Sequence, residues 1–527
     1  MGIPFYFSYL IKNHRDILNK YNRASMTVDN FFIDANPLIY NSINREKQTE
    51  HRHIVDSVIN QIMELISTFS PTKKTFIAFD GVAPVSKLEQ QRGRRYKRRF
   101  ELPEDDTTQR FNTIEITPGT PFMKYLNEEL SKHFLDNSAI IYTGSNECGE
   151  GEHKIFQYIR NNFGLIGNDT NVIYGLDADL IMLCLNHINY SNNLYLFRET
   201  PHFIKSIDET LEPNENYVLD ISRLSTAIHS QVGMSPSDYI FSCFFLGNDF
   251  LPHFPAINIR TGGVTKLMDN FKELIELQTP DNPISPFVIY TSKGIQINWR
   301  TLRSFVSNLA KKEQAYIETE IKNRDRKQKN YYPSSTREEL QKKINDLPSY
   351  ERELEKSIQP NRKGWQDRYY ISLFGLKKPP SESFIYEVCS NYLEGLEWTL
   401  KYYTGDCPDW RWRYKYHYPP LLQDLFHTIP STSFSYFEDR EATTRCSINE
   451  LTQLCYVLPT ENLDLVPTPV KDSLLRLHPE WYIGANGEED EVDFIWAFCK
   501  YFFEAHPILP EIDVDELERI VNDSVEH

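Results

Sequence analysis

The feature that most constrains this chain is a recurrence in its first half. Short apolar runs, most of them ending at or beside an acid, alternate with stretches of helical length. FFID (31–34), KTFIAFD (74–80), AIIYT (139–143) and NVIYGLD (171–177) read as strands. The stretches near 52–68, 86–100, 119–134 and 152–162 read as helices. Such alternation specifies an α/β domain, with a mostly parallel central sheet flanked by helices. In open sheets of this class, sites assemble at the carboxyl ends of the strands.

Seven acids stand in local patterns that fit such a site. Asp34 ends one strand and Asp80 another, Glu150 and Glu152 lie in GEGEHK, Asp177 and Asp179 in YGLDADL, and Asp249 in LGNDFLPH. A carboxylate directly after an apolar strand is badly placed for burial unless something neutralises it. Seven of them at one edge would repel each other, and divalent cations that prefer oxygen ligands resolve the conflict. The expectation is a two-metal centre, with magnesium as the ion and manganese able to substitute, of the kind that hydrolyses phosphodiesters. A lone D-x-D is weak evidence, since solvated Asp pairs are common at loop starts. LDADL is stronger, because it joins an apolar strand directly to an apolar helix. His153 and His253, beside these acids, read as structural histidines.

A second asymmetry lies in KLEQQRGRRYKRR. Between Lys87 and Arg99 it carries Lys87, Arg92, Arg94, Arg95, Lys97, Arg98 and Arg99 against Glu89, in a protein of net charge −17. The acidic total argues against a non-specific nucleic-acid coat and leaves room for a local basic path. Lys87, Gln91, Arg94 and Arg95 fall on one helical face. Such a face suits a terminal phosphate held by charge-assisted hydrogen bonds. A terminal-phosphate pocket beside metals would make a nuclease an exonuclease.

The eight cysteines form no C-x-x-C pair, and Cys184 and Cys243 sit among apolar neighbours as core residues would. MGIPFYFSYL lacks the pattern of a signal peptide, and no apolar run has the length of a membrane span. The expectation is a soluble intracellular protein without a membrane partner, cytoplasmic first and nuclear second.

Three regions are expected: a nuclease core over 1–270, a charged helical spacer over 271–360, and a second compact region over 361–527. Within the spacer, TLRSFVSNLAKKEQAYIETEIKNRDRKQKN reads as a solvated helix and PSSTREELQKKINDLPSYERELEK as another, capped by Ser334 or Ser335. The acidic patch near 488–493 reads as an exposed loop.

At this point the residues match a known pattern. The chain resembles the eukaryotic 5′→3′ exoribonuclease (XRN) family in MGIPFYFSYL, DANPLIY, IAFDGVAPVSKLEQQRGRRYKRRF, ITPGTPFM, ECGEGEHKIFQYIR, VIYGLDADLIML and LGNDFLPHFP. Later, GWQDRYY, YLEGLEWTLKYYTGDCPDWRWRYKYHYPP and LTQLCYVLP also match. The resemblance implies a PIN/flap-nuclease-like core whose active site is completed by the second region. It carries metal binding onto the seven acids and 5′-phosphate binding onto Lys87, Gln91, Arg94 and Arg95. It also implies a base clamp. Here Tyr40 replaces the family's usual histidine, Pro37 stands where glycine is common, and either Trp410 or Trp412 is the opposing ring. The implied partners are single-stranded RNA with a 5′-monophosphate and, beyond it, decapping or RNA-decay proteins. The short length suits a viral or protist form. Two alternatives stay open: a flap-endonuclease-like DNA nuclease, and an inactive scaffold that binds RNA ends. Retention of all seven acids weighs against the scaffold.

Overall fold

The computed structural model describes residues 6–46, 50–98, 111–199, 205, 209–213, 215–277, 285–292, 294–333, 335–350, 352–438, 447–484 and 492–526. Its centre is a seven-stranded sheet of order β1-β7-β6-β5-β2-β3-β4. The strands are β1 (Leu18–Lys20), β2 (Asn30–Asp34), β3 (Lys74–Ala78), β4 (Ile140–Thr143), β5 (Thr170–Tyr174), β6 (Asn193–Phe197) and β7 (Tyr217–Asp220). β6, β5, β2, β3 and β4 run parallel, while β7 and β1 close one edge antiparallel. The four strands read from the sequence, β2, β3, β4 and β5, are neighbours and run out to the β4 edge. The three it missed, β1, β7 and β6, make up the opposite side of the sheet.

The chain runs outward from β2 through β3 to β4, then returns to lay β5 on the other side of β2. That reversal leaves a crevice at the carboxyl ends of β2 and β5, where doubly wound sheets bind ligands. Alternation along the strands splits the core into two layers. Phe31, Ile33 and Ile77 pack on one face with Ile54, Val58, Ile62, Leu126 and Leu130 of the helices His51–Phe69 and Pro121–Phe134. Phe32, Phe76 and Ile173 face the opposite way, into a larger core with Ile155, Phe156 and Leu180.

That larger core runs on without a break into the second half of the chain, through Trp299, Leu302, Phe305, Tyr369, Tyr392 and Trp398. The stretch read as a solvated spacer is therefore packed against the sheet domain. Its charged helix is two helices, Trp299–Ala310 and Glu313–Gln328. In the second of these the buried positions include Glu313, Glu320 and Arg324 as well as Ile317. Charge alone misled the sequence reading, because Glu313 and Arg324 find partners inside the fold, the backbone N–H groups of Leu422 and Gln423 and the carboxylate of Glu355. The following stretch is also broken, into Arg337–Asn345, the turn Leu347–Ser349 and Glu353–Ile358, with Pro348 in the turn. Thr336 caps its first helix in a capping box with Glu339, in place of the serines expected there. Most of the acidic patch near 488–493 lies outside the described residues. No helix among the described residues is long and apolar enough to cross a membrane. Cys184 and Cys243 are buried.

Candidate active site

The strand ends build one wall of the site. Asp34 is the last residue of β2 and is buried. Asp80 lies two residues beyond β3, and its Oδ1 accepts from the Gly151 N–H at 2.7 Å. Its Oδ2 accepts from Asn36 Nδ2 at 2.5 Å, and its own N–H donates to Asn36 Oδ1 at 3.1 Å. Glu150 is the N-cap of the helix Gly151–Asn161, and Glu152 lies in its first turn, where the helix dipole favours anions. A Cβ on Gly151 would stand 3.0 Å from Asp34 Oδ1 and 3.1 Å from the Ala78 carbonyl, so this approach requires glycine. Asp177 and Asp179 follow β5, and Asp179 opens the helix Asp179–Asn186. Asp249 arrives from outside the sheet, just after the turn Phe244–Leu246.

Electrostatically the seven acids form one cluster. Burial raises the Asp34 carboxyl well above the carboxylate range, and the charges of Asp80, Asp177, Asp179 and Glu150 add to it. Glu152 is raised the same way, by burial and then by Asp179 and Glu150. Burial lifts Asp179 to about 6, with Asp177 and Asp249 contributing. The Asp179 Oδ1 is buried and accepts no hydrogen bond. Asp249 goes the other way: burial raises it, but the positive charges around it, Lys87 foremost and Arg94 among them, together outweigh that and hold it below the ordinary range.

The basic run is a helix, Val85–Arg98, as expected, and its residues divide among three jobs. Lys87 sits inside the carboxylate cluster, with Nζ 2.6 Å from Glu150 Oε2 and 2.7 Å from Asp249 Oδ2. Arg92 is buried and structural, donating to the carbonyls of Pro510 and Trp481 at 2.7 and 3.2 Å. Arg94 and Arg95 turn toward the cavity in front of the acids, together with Gln91. Arg95 Nη2 donates to Thr117 Oγ1 at 2.6 Å, while its Nη1 and the Nε and Nη2 of Arg94 are buried without a hydrogen-bond partner. Burial lowers the Arg95 guanidinium to about 10. Buried, unpaired guanidinium donors are costly unless an anion meets them.

The cavity is about 1400 Å³ and is lined at one end by Asp34, Asp80, Glu150, Glu152 and Asp177, with Arg94 and Arg95 also in its wall. Tyr40 is 43% exposed and lines it too, so it is not a core residue beneath the sheet. Tyr332, Tyr501, Phe502 and Phe503 supply further rings. Neither tryptophan of CPDWRW is in this lining. Trp412 is a core residue, stacked on Trp398 at 5.3 Å and donating its Nε1 to Glu394 at 3.1 Å. Trp410 is half-buried, and its carbonyl accepts from the Val85 N–H at 2.8 Å, at the start of the basic helix.

Several residues escaped the sequence reading. Tyr402, on the long helix Glu382–Thr404, donates its hydroxyl to Glu150 Oε1 at 2.7 Å, so the second half of the chain completes the site. Its ring stacks on His153 at 3.7 Å and 25°. Burial holds that imidazole well below its usual range, and His153 offers a ligand atom within 4.8 Å of those of Glu150 and Glu152. Lys154 donates to the carbonyls of Phe79 and Gly144 at 2.8 and 2.7 Å, tying the loops after β3 and β4 together. Tyr402 lies four residues after Trp398, a spacing that reads as core, and so carried no functional mark.

Two family models match the chain: the XRN 5′-3′ exonuclease N-terminus over residues 1–200, and the Xrn1 helical domain over 236–361 and 332–476. The 5′-3′ exoribonuclease 2 homolog of Drosophila melanogaster is 26% identical over 94% of this chain and 69% of its own length. The 5′-3′ exoribonuclease 1 proteins of Saccharomyces cerevisiae and Homo sapiens are each 25% identical, over 89% and 98% of this chain. This chain spans only 40% and 34% of those two relatives. Among solved structures, the catalytic core of Rad2 in complex with DNA substrate overlays at TM-score 0.31 and 15% identity, over 53% of this chain and 74% of that one. A bacteriophage flap endonuclease complex with DNA and metal ions overlays at 0.31 and 13%, over 56% and 88%.

Proposed function

The chain belongs to the XRN 5′→3′ exonuclease family, and from that premise we propose that it hydrolyses single-stranded RNA from a 5′-monophosphate end and releases nucleoside 5′-monophosphates. One observation carries the reading. A cluster of buried carboxylates and a set of buried guanidinium donors without partners share one cavity. The first needs cations and the second needs an anion, and a phosphorylated RNA end lying over metal ions supplies both.

The donor set fits a hard divalent cation: carboxylate oxygens predominate, and the buried Asp179 Oδ1 has no partner. Asp34, Asp80, Glu150, Glu152, Asp177, Asp179 and Asp249 would hold magnesium, as two ions, with manganese able to replace it. When bound, such ions supply an activated water and charge stabilisation for phosphodiester hydrolysis.

The protein's own residues do the positioning. Arg94 and Arg95, with Gln91, grip the terminal phosphate through charge-assisted hydrogen bonds. Lys87 bridges Glu150 and Asp249 and moderates repulsion within the cluster. Tyr402 fixes one oxygen of Glu150. Tyr40 stacks on a base beside the acids. Trp410 is the remaining candidate for the tryptophan of the clamp, since Trp412 is committed to the core.

The decisive experiment compares RNAs of one sequence bearing 5′-monophosphate, 5′-triphosphate or 5′-hydroxyl ends, with magnesium or with a chelator. Rapid release of mononucleotides from the monophosphate RNA alone, stopped by chelation, is the expected result. Preferential cleavage of flap DNA, or chelator-insensitive decay, overturns the reading.

A further inference from the structure

The basic helix has a second cavity on its other side. It is about 650 Å³, within the size range of small-ligand sites. Its walls include the loop Gly247–His253, the segment Tyr414–His417, and the C-terminal strand pair that ends at Pro507. Gly93 faces this side, where a Cβ would meet Pro507 Cγ at 3.5 Å. Arg94, Lys97 and Phe503 line both this cavity and the catalytic one.

Two residues of its lining, Asp249 and Arg94, belong to the proposed reaction; the other polar groups are not used by it. Two of the cations are already neutralised: Arg260 by Glu504, and Arg413 by Glu89 and Glu511. What remains is a pair of buried groups without partners, Nδ2 of Asn248 and Nε2 of His253, and the ammonium of Lys97. Asn248 is held in place because its Oδ1 accepts from the N–H groups of Phe250 and Leu251, both at 2.9 Å. Lys97 donates to the Phe503 carbonyl at 2.6 Å and keeps further N–H groups for a ligand. Beside these groups lie two aromatic rings, His417 and His506, stacked at 5.2 Å and 28°. A cluster of anion donors next to stacked rings, in a volume too small for a folded strand, matches a phosphate joined to one planar base.

We infer that this cavity is a second binding site, for a nucleoside 5′-monophosphate, and that it receives the nucleotide released at the catalytic wall. The phosphate meets Lys97, His253 and Asn248, and the base lies against His417 and His506. The identity of the ligand rests on the exonuclease reading, because that reaction makes the nucleotide. The physical need is plain: after each cleavage the product lies ahead of the remaining RNA, and Arg94 and Lys97 stand at both cavities. A product held by its phosphate can pass along them without moving back past the RNA.

The test is equilibrium dialysis of radiolabelled AMP against the full chain carrying Asp177→Asn, with and without a saturating 5′-phosphorylated RNA. Without RNA, two equivalents of AMP bind. With RNA, one equivalent remains, and adenosine lacking the phosphate binds about tenfold or more weakly. His417→Ala and His253→Ala each weaken the RNA-resistant site about tenfold, with RNA affinity unchanged. His417→Phe, which keeps a ring, restores it. In an otherwise wild-type chain, rapid quench of His417→Ala shows the first nucleotide released at the normal rate and later ones more slowly. If RNA displaces all bound AMP, or if both alanine variants bind it normally while melting like wild type, the second site is overturned and the exonuclease reading stands. If wild type binds AMP in this way but does not degrade phosphorylated RNA, the exonuclease reading is the one that fails.

Discussion

Two regions of this molecule bury carboxyl groups, and they do so in opposite ways. In the helical half, Glu355 is fully buried and satisfied. It accepts from Arg324 Nε at 2.9 and 3.0 Å, from Arg352 Nη1 at 2.9 Å and from the Phe498 N–H at 2.8 Å, while Arg352 also pairs with Asp325. At the strand ends, Asp34, Glu152 and Asp179 are buried among like charges, with the ammonium of Lys87 bound to two of their neighbours. In the first cluster both carboxylate oxygens are met by cations, and it acts as a structural joint. The second is electrostatically incomplete, and its incompleteness marks it as a site. Buried charge alone therefore does not indicate function, but buried charge without compensation does.

The sharpest way to break the comparison is to neutralise one acid in each cluster. Asp177→Asn or Glu150→Gln should abolish magnesium-dependent hydrolysis while leaving the metal-free melting temperature unchanged or higher, because repulsion is relieved. Glu355→Ala should take from two buried arginines, Arg324 and Arg352, the carboxylate they share and cost about 3–5 kcal/mol of stability, seen as a large drop in melting temperature. Near-normal turnover in the first pair, or unchanged melting in the last, would erase the distinction.

Arg94 and Arg95 extend the comparison to cations. Removing either should reduce discrimination between monophosphate and hydroxyl ends by roughly ten- to hundredfold, the equivalent of about 1.5–3 kcal/mol. Because Arg94 lacks partners for two of its buried nitrogens, Arg94→Ala should not lower the melting temperature. Unchanged end discrimination would make the helix a general RNA track.

Tyr40 should carry a comparable or smaller effect. Tyr40→Ala removes a stacking surface worth about 1–3 kcal/mol and should slow degradation accordingly, while Tyr40→His retains substantial activity. Wild-type degradation by Tyr40→Ala would show that its ring is not part of the clamp.

The smallest effect tests a third kind of buried acid. Glu313 has backbone donors, the N–H groups of Leu422 and Gln423, and no cation pairs with it among the described residues. Burial raises its carboxyl from 4.5 to about 8. The folded state therefore binds the proton more tightly than the unfolded chain, and the stability this contributes is present below pH 4.5 and is lost as pH rises toward 8. Wild-type melting temperature should fall across that window, and Glu313→Gln should flatten the fall. Parallel profiles for the two proteins would assign the loss to other groups.

The sequence by itself determined the sheet, the acids at its strand ends and the basic helix. These follow from local rules: apolar alternation makes a strand, the residue after it lands at the sheet's edge, and residues spaced three and four apart share a helical face. β1, three residues long, leaves too few residues for the same inference. The tertiary structure alone decided which charges are satisfied. Lys87 meets Asp249 across 162 residues and Tyr402 meets Glu150 across 252, and no local spacing encodes either contact. The same holds for Trp410 and Trp412, chemically identical and two residues apart. Only the packing of Trp398 and Glu394 against one of them separates a core ring from a candidate for the site. A charged helix such as Glu313–Gln328 looks solvated until its partners are known, because the cost of burying an ion depends on the groups that surround it.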